Sequence, residues 1–338
     1  MKLGILPQFL QATIITIVDV GAREGLPPQW LPFAGNLRAI MVEPDPGEAE
    51  RLKSQAQQFG FKEAHVIPIA LSNEKGSISL HVANAGANSS VLRPNMAFLS
   101  RFPNVRRFET AQRLDIPCDT LDGQLATLGI ESVDFIKLDV EGYEAHVLAG
   151  GTKALGSCLG LASEVSFAER YIGNAHFNEV DCLARDAGLV LADLERKWWR
   201  RGVAPLETFG IGQMVFADCV WLNDPVASQQ LSREQLLKVV LIMLVYSFYD
   251  WSYESMAFGV ERGLTTEEEM QVLRAWLAER SLYGQPAYRF IAGLPRFPFK
   301  RSLARFFGLL SQHLGGNLYG EHFQSDGTAW NRKWRWLQ

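Results

Sequence analysis

The segment Asp19-Val20-Gly21-Ala22-Arg23-Glu24-Gly25 follows a run of β-branched residues and combines a carboxylate with two glycines four apart. Glycine at such a turn lets the backbone fold sharply and approach a ligand where a Cβ would clash. Asp19, just before the turn, can orient the loop or accept hydrogen bonds from a cofactor. A structural strand-to-helix turn is the plain alternative. The dinucleotide fingerprint G-x-G-x-x-G is absent, since only Gly21 and Gly25 are present, and this counts against a pyrophosphate cofactor. A second constellation is Val42-Glu43-Pro44-Asp45-Pro46, with Glu43 placed 18 residues after Gly25. At the carboxyl edge of an open α/β sheet, an acidic residue at about that spacing can hold ribose hydroxyls. Each carboxylate oxygen accepts one O–H of the vicinal diol. A surface glutamate ahead of a helix cap is the alternative here.

The third constellation, Asp134-Phe135-Ile136-Lys137-Leu138-Asp139-Val140-Glu141-Gly142-Tyr143-Glu144, puts Asp139 and Glu141 at the exit of a buried strand. So many charges there are poorly explained by packing. Within it, Lys137 reads as an ion-pair partner and Glu144 as a residue favouring a helix N-terminus. Glu164, after a later strand, could reach the same cleft. His146 and His176 read as surface histidines. Asp139 and Glu141 without a third oxygen ligand are thin grounds for a divalent cation, and no metal is expected.

These residues need a sheet edge to bring them together. Over the first two-thirds, short β-branched runs alternate with helical patterns, the rhythm of a parallel sheet covered by helices. Residues 14–18, 37–42, 65–70, 133–138, 159–165, 189–194 and 213–220 read as strands, and 78–82 as a more exposed antiparallel strand. Asp45-Pro46 suits a helix start. Helices are expected near 143–149 and 177–186. Residues 84–112, with Arg93, Arg101, Arg106 and Arg107, read as a long loop or insertion. After Asn223-Asp224-Pro225 only helical patterns follow, including the capping signal Thr266-Glu267-Glu268-Glu269. The apolar run Val239 to Tyr246 is too short to span a membrane and reads as a buried helix. The apolar stretch 3–18 superficially resembles a signal peptide, but Pro7, Gln8 and Gln11 interrupt it and it runs directly into Asp19.

Composition narrows the class. The chain has 338 residues, 47% apolar and 21% charged, which argues against disorder, a fibre or a disulfide scaffold. A net charge of −4 provides no global basic field for nucleic acid. Cys118, Cys158, Cys182 and Cys219 are scattered, without CxxC, so a reducing, cytoplasmic compartment is expected.

VDVGAREG, then VEPDP, IALSNEKGSISL, and above all DTLDG followed by DFIKLDVEGYEAHVLAGG resemble the FkbM family of methyltransferases over about residues 14–166. The resemblance implies a class I α/β methyltransferase fold, with a seven-stranded, mostly parallel sheet that binds S-adenosylmethionine. It further implies O-methylation of a hydroxyl on a small-molecule, glycan or polyketide-type acceptor. Mapped onto this chain, Asp19, Gly21, Ala22 and Gly25 form the methionine-side loop, and Glu43 takes the ribose diol. Ala70, Leu71 and Ser72 border the adenine, while Asp139 and Glu141 lie where methyl group and acceptor meet. The charged pair Arg23-Glu24 departs from the small or polar residues usual in that turn. For the base that takes the acceptor proton, Asp139 comes first, Glu141 second and Glu164 third. Two other classes compete: a nonenzymatic interaction module on the same scaffold, and a nicotinamide-dependent oxidoreductase. The latter lacks both the third glycine and a Tyr-x-x-x-Lys pattern.

The expected division is a methyltransferase domain over residues 1–222 and a helical extension over 223–338. Residues 286–338 hold eight Lys and Arg against two Asp and Glu, leaving the rest of the chain at −10. An apolar stripe through Phe299, Leu303, Phe306, Leu310 and Leu314 faces Lys300, Arg301 and Arg305. This segment is expected to fold against the catalytic domain or a second subunit, which would make a homo-oligomer, in preference to a membrane surface.

Overall fold

The computed structural model describes residues 6–203 and 212–280 together with the backbone of Phe323–Ser325. In chain order the strands and helices are β1 (Ile15–Val20), β2 (Leu37–Val42), α1 (Pro46–Phe59), β3 (Glu63–Ile67), β4 (Ala70–Leu71), β5 (Gly76–Ala83) and α2 (Met96–Leu99). Next come β6 (Thr110–Asp119), α3 (Leu121–Thr127), β7 (Phe135–Leu138), α4 (Glu144–Ala149), α5 (Thr152–Ser157), β8 (Gly160–Ser166) and α6 (Phe177–Asp186). The chain continues through β9 (Leu189–Trp199), β10 (Gln213–Asn223), α7 (Pro225–Ser228), α8 (Arg233–Val245), α9 (Tyr249–Glu261), α10 (Glu267–Arg280) and β11 (Phe323–Ser325).

The main sheet has the order β11-β9-β10-β8-β7-β1-β2-β3. From β3 to β8 the strands are parallel, and β10 runs antiparallel to both β8 and β9. The seven strands from β3 to β9 make the expected class I α/β sheet, and β11 adds a short edge. β1 is buried at all six positions, as befits a β-branched strand covered on both faces. One face carries Val18, Val20, Ile136 and Leu138 against α3 to α6. The other carries Ile15, Ile17, Leu37, Met41 and Phe135.

Residues 21–36, between β1 and β2, contain only a 3-10 turn at Leu31–Asn36, so this connection supplies no α-helix to that second face, on which α1 places Leu52. α8 lies there instead, with nine of its thirteen residues buried in the same cluster as β1 and β2. From Val239 to Val245 it is apolar on all sides, the character of a core helix. Trp30 packs on Phe135 at 5.0 Å and on Tyr246 at 6.0 Å between ring centroids, tying this connection to β7 and the end of α8. Lys238 reaches Asp134 at 3.1 Å, and Asp134 also accepts the Thr16 N–H at 2.8 Å.

Three sequence expectations need correction. The strand expected over 65–70 is broken: β3 stays in the main sheet, whereas Ala70–Leu71 joins a second sheet of order β4-β6-β5. Pro68 stands at the break, with no N–H to extend the ladder. The irregular stretch ends at Thr110, where ten residues form β6 opposite β5; its polar, largely exposed composition gives no burial signal. Strand structure also recurs after residue 223, since β11 pairs with the open edge of β9, Phe323 opposite Trp199. The stripe at 299–314 and most of the basic segment lie outside the described residues.

Candidate active site

Strand register aligns Val20 with Val42 and with Leu138, and Leu138 with Ser163. The next residue on each strand is Gly21, Glu43, Asp139 and Glu164, so four sequence-expected residues form one row along the carboxyl edge. The N–H groups of Gly21 and Ala22 both donate to the Val42 carbonyl, at 3.0 and 3.1 Å, and Asp139 N–H donates to the Val20 carbonyl at 3.0 Å. Gly21 has φ +77°, and a Cβ there would overlap the carbonyl oxygen of Asp139. Only glycine permits that approach.

Asp19 is wholly buried. Lys137, its register partner on β7, places Nζ 3.0 Å from Asp19 Oδ1, 3.4 Å from Asp139 Oδ2 and 3.5 Å from the Gly21 carbonyl. Among the described residues, Asp19 Oδ2 has no hydrogen-bond partner. Burial raises the Asp19 pKa, with Lys137 opposing. Burial would lower the Lys137 ammonium, but Asp19 and Asp139 more than offset it and its pKa lies above the ordinary value. The ion pair read from sequence is thus the clamp between the β1 and β7 loops.

Glu43 is buried, and its Oε1 accepts the Asp45 N–H at 2.9 Å. Burial raises its pKa, against that hydrogen bond and the charge of Arg23. Arg23 pairs with Glu48 at 3.2 Å and lies 3.7 Å from Asp45, while Arg51 donates to the Arg23 carbonyl. The unusual charge in this turn therefore anchors the loop to the start of α1, where Asp45 caps the Gly47 and Glu48 N–H groups. Gly25 turns at φ +82° beside Leu52 and Gln55.

Ala22 and Leu71 point into apolar clusters on opposite faces of the sheet, so only their backbones can line a cleft. Ser72 is buried with its hydroxyl 3.0 Å from that of Tyr143. Asp139 keeps a half-exposed carboxylate, 50% accessible. Glu141 and Glu164 do not. Arg170, almost fully buried, donates to Glu141 at 3.1 Å and to Glu164, and the Tyr171 hydroxyl donates to Glu141 at 3.0 Å. Burial pushes both carboxyls above their usual range, Glu164 furthest, with Arg170 opposing. Glu141 itself adopts φ +53°, which a non-glycine residue sustains only when its surroundings hold it. His146 stacks on Tyr143 at 4.2 Å and His176 caps α6, neither reaching Asp139 by hydrogen bond.

Sequence reasoning missed Arg170 and Tyr171. They stand six and seven positions after Glu164 in no recognisable motif, and only burial reveals them. Glu144 is also more than a helix-start residue. Its buried Oε1 accepts the N–H groups of Val140 and Gly142, at 3.3 and 3.1 Å, and so shapes the loop after β7.

A seven-stranded sheet from β3 to β9 that is parallel except for β10, and a glycine turn facing an acidic residue on the adjacent strand, define the class I methyltransferase fold. The family model described as the methyltransferase FkbM domain matches residues 19–190, and the chain belongs to that family. A curated relative, 2-O-methyltransferase NoeI of Sinorhizobium fredii, is 27% identical over 164 residues. The match covers 46% of this chain and 65% of that protein, just under two-thirds of its length. Among solved structures, magnesium protoporphyrin IX methyltransferase of Synechocystis PCC 6803 with bound SAH is 8% identical, covering 63% of this chain and 75% of that one, at TM-score 0.31. N-methyltransferase NodS of Bradyrhizobium japonicum is 9% identical, covering 64% and 90%, at TM-score 0.31.

Proposed function

We propose that this chain binds S-adenosylmethionine at the β1–β2 edge and methylates a hydroxyl oxygen of a small-molecule, glycan or polyketide-type acceptor. The observation that carries the reading is the row Gly21, Glu43 and Asp139, with a buried oxygen of Asp19 left without a hydrogen-bond partner beside it. These groups fit the cofactor: a turn open to close approach, and a carboxylate with one oxygen that no described residue engages, placed to take a diol hydroxyl. When bound, S-adenosylmethionine supplies a methyl group on a sulfonium leaving group, and S-adenosylhomocysteine is left behind.

The chain's own residues position and deprotonate. Glu43 and the Gly21–Gly25 turn hold the nucleoside and methionine ends, fixing the direction of approach. Alignment of this kind contributes roughly 7–11 kcal/mol to such reactions. Asp139 takes the hydroxyl proton as the oxygen–methyl bond forms, an assistance worth about 10²–10⁴-fold. It is the accessible carboxylate of the three candidates, since Arg170 engages Glu141 and Glu164. We therefore assign those two to holding the loop after β7. Asp139→Asn should lower turnover at least a hundredfold while S-adenosylhomocysteine affinity changes little. Full activity of that variant with a genuine acceptor would move the base to Glu141, Glu164 or solvent. An absence of S-adenosylhomocysteine binding to the wild type in calorimetry would reject the reading altogether and favour an interaction module.

A further inference from the structure

A cleft of about 300 Å³ opens between β5, the start of β6 and the segment joining them, lined by His81, Arg93, Pro94, Met96, Glu109 and Thr110. Ser90 links the wall of this cleft to the loop after β7. Its backbone pairs with His81, N–H to O distances being 2.8 and 3.2 Å, while its hydroxyl donates to the Glu141 carbonyl at 2.8 Å. Arg93 is fastened to the same wall, because its carbonyl accepts the Ile172 N–H at 2.8 Å, beside Tyr171. The cleft therefore adjoins the loop that carries Asp139 and Glu141.

Its chemistry is mixed but directional. The exposed guanidinium of Arg93 has no ion pair or hydrogen bond with any described residue. Arg113 stands opposite His81 in the β5–β6 register and donates to Ser79 at 2.8 Å. Burial, then the positive charges of Arg113 and Arg93, lower the His81 pKa. Glu109 is the one carboxylate among the lining residues, with Asn84 Nδ2 3.5 Å away. Pro94 and Met96 supply an apolar wall. An uncommitted guanidinium is a fork for carboxylate or phosphate, and a carboxylate in the same lining suits a hydroxyl.

We propose that this cleft holds the anionic end of a hydroxylated acceptor, with Arg93 binding its carboxylate or phosphate and Glu109 and Thr110 taking neighbouring hydroxyls. The remainder of the molecule passes Ser90 and presents a hydroxyl to Asp139; this last contact rests on the methyl-transfer reading above. The volume lies at the low end of the range of about 300–1,000 Å³ for small-molecule sites, room for one ring-sized portion of an acceptor.

The test titrates the full chain with glucose 6-phosphate, glucuronate and glucose by calorimetry or ligand-observed NMR, in the wild type, Arg93→Met and Arg93→Lys. At least one charged probe should bind about tenfold or more tightly than glucose, and the two charged arms identify the preferred anion. Arg93→Met should erase the preference and Arg93→Lys restore part of it. Charged probes that bind no better than glucose, or a preference unchanged in Arg93→Met, would overturn the proposal. S-adenosylhomocysteine titrated into the same preparations separates the two readings. Its binding without an anion preference defeats the cleft assignment alone. An Arg93-dependent preference without it supports the anion site and defeats methyl transfer.

Discussion

Glu144 buries a carboxylate whose pKa is pushed up to about 7, chiefly by burial, against its backbone hydrogen bonds. In the unfolded chain the same group titrates near 4.3, so between these values the folded state binds the extra proton. The contribution of Glu144 to stability is then greatest in acid and falls as pH rises towards 7, by about 4 kcal/mol at most. Glu144→Gln keeps an acceptor oxygen for Val140 and Gly142 without the charge. Urea midpoints at pH 5 and pH 8 should differ less for that variant than for the wild type; an unchanged difference would mean Glu144 is not the titrating group. Glu43→Ala tests the other end of the row. Losing charge-assisted hydrogen bonds should weaken S-adenosylhomocysteine binding by about 1.5–3 kcal/mol, with the far-UV spectrum retained. Equal affinity in calorimetry would remove Glu43 from the site.

At the scale of elements, the β1 and β7 loops are fitted together through Gly21. Gly21→Ala combines a positive φ with overlap on the Asp139 carbonyl, so the turn must shift away from β7. The expected outcome is loss of measurable S-adenosylhomocysteine binding with a lowered melting temperature, and a variant that binds normally would show the turn to be dispensable. α8 is fastened by a different device. Lys238→Met leaves the nearly buried Asp134 without its ammonium, and breaking one side of a buried pair costs roughly 3 kcal/mol. Asp134→Asn in the same background should recover part of that loss in denaturant titrations, and no recovery would show that the pair itself is not the source.

For the whole molecule, α8 decides what can be removed. A chain ending at Asp224 lacks the nine buried residues of α8 and uncovers Ile15, Ile17, Leu37, Met41 and Phe135 on one sheet face. At about 1.5 kcal/mol or more for each large aliphatic side chain buried, the loss is comparable to the ~5–15 kcal/mol that holds a typical domain folded. We expect that truncation to accumulate as aggregate or to bind a hydrophobic dye in solution. A soluble 1–224 fragment with a cooperative melt would show the helices to be dispensable. Among the described residues, no helix is long and apolar enough to cross a membrane.

The sheet and most of its edge residues were legible in the sequence, because a strand buried on both faces must be continuously apolar and β-branched, and because carboxylates and glycines at its exit stand out against that background. Asp19, Gly21, Glu43 and Asp139 could be picked out on those grounds alone. Polar β6 could not, since its ladder is built from backbone groups that carry no side-chain signature. Nor could the partnership of Arg170 with Glu141 and Glu164, which depends on which side chains the folded chain shuts away from water. The choice of Asp139 as the accessible carboxylate follows from that burial. So does the covering of the β1–β2 face by a helix some 200 residues further along the chain: an apolar stripe specifies that it must be buried, and only the tertiary structure selects the surface that buries it.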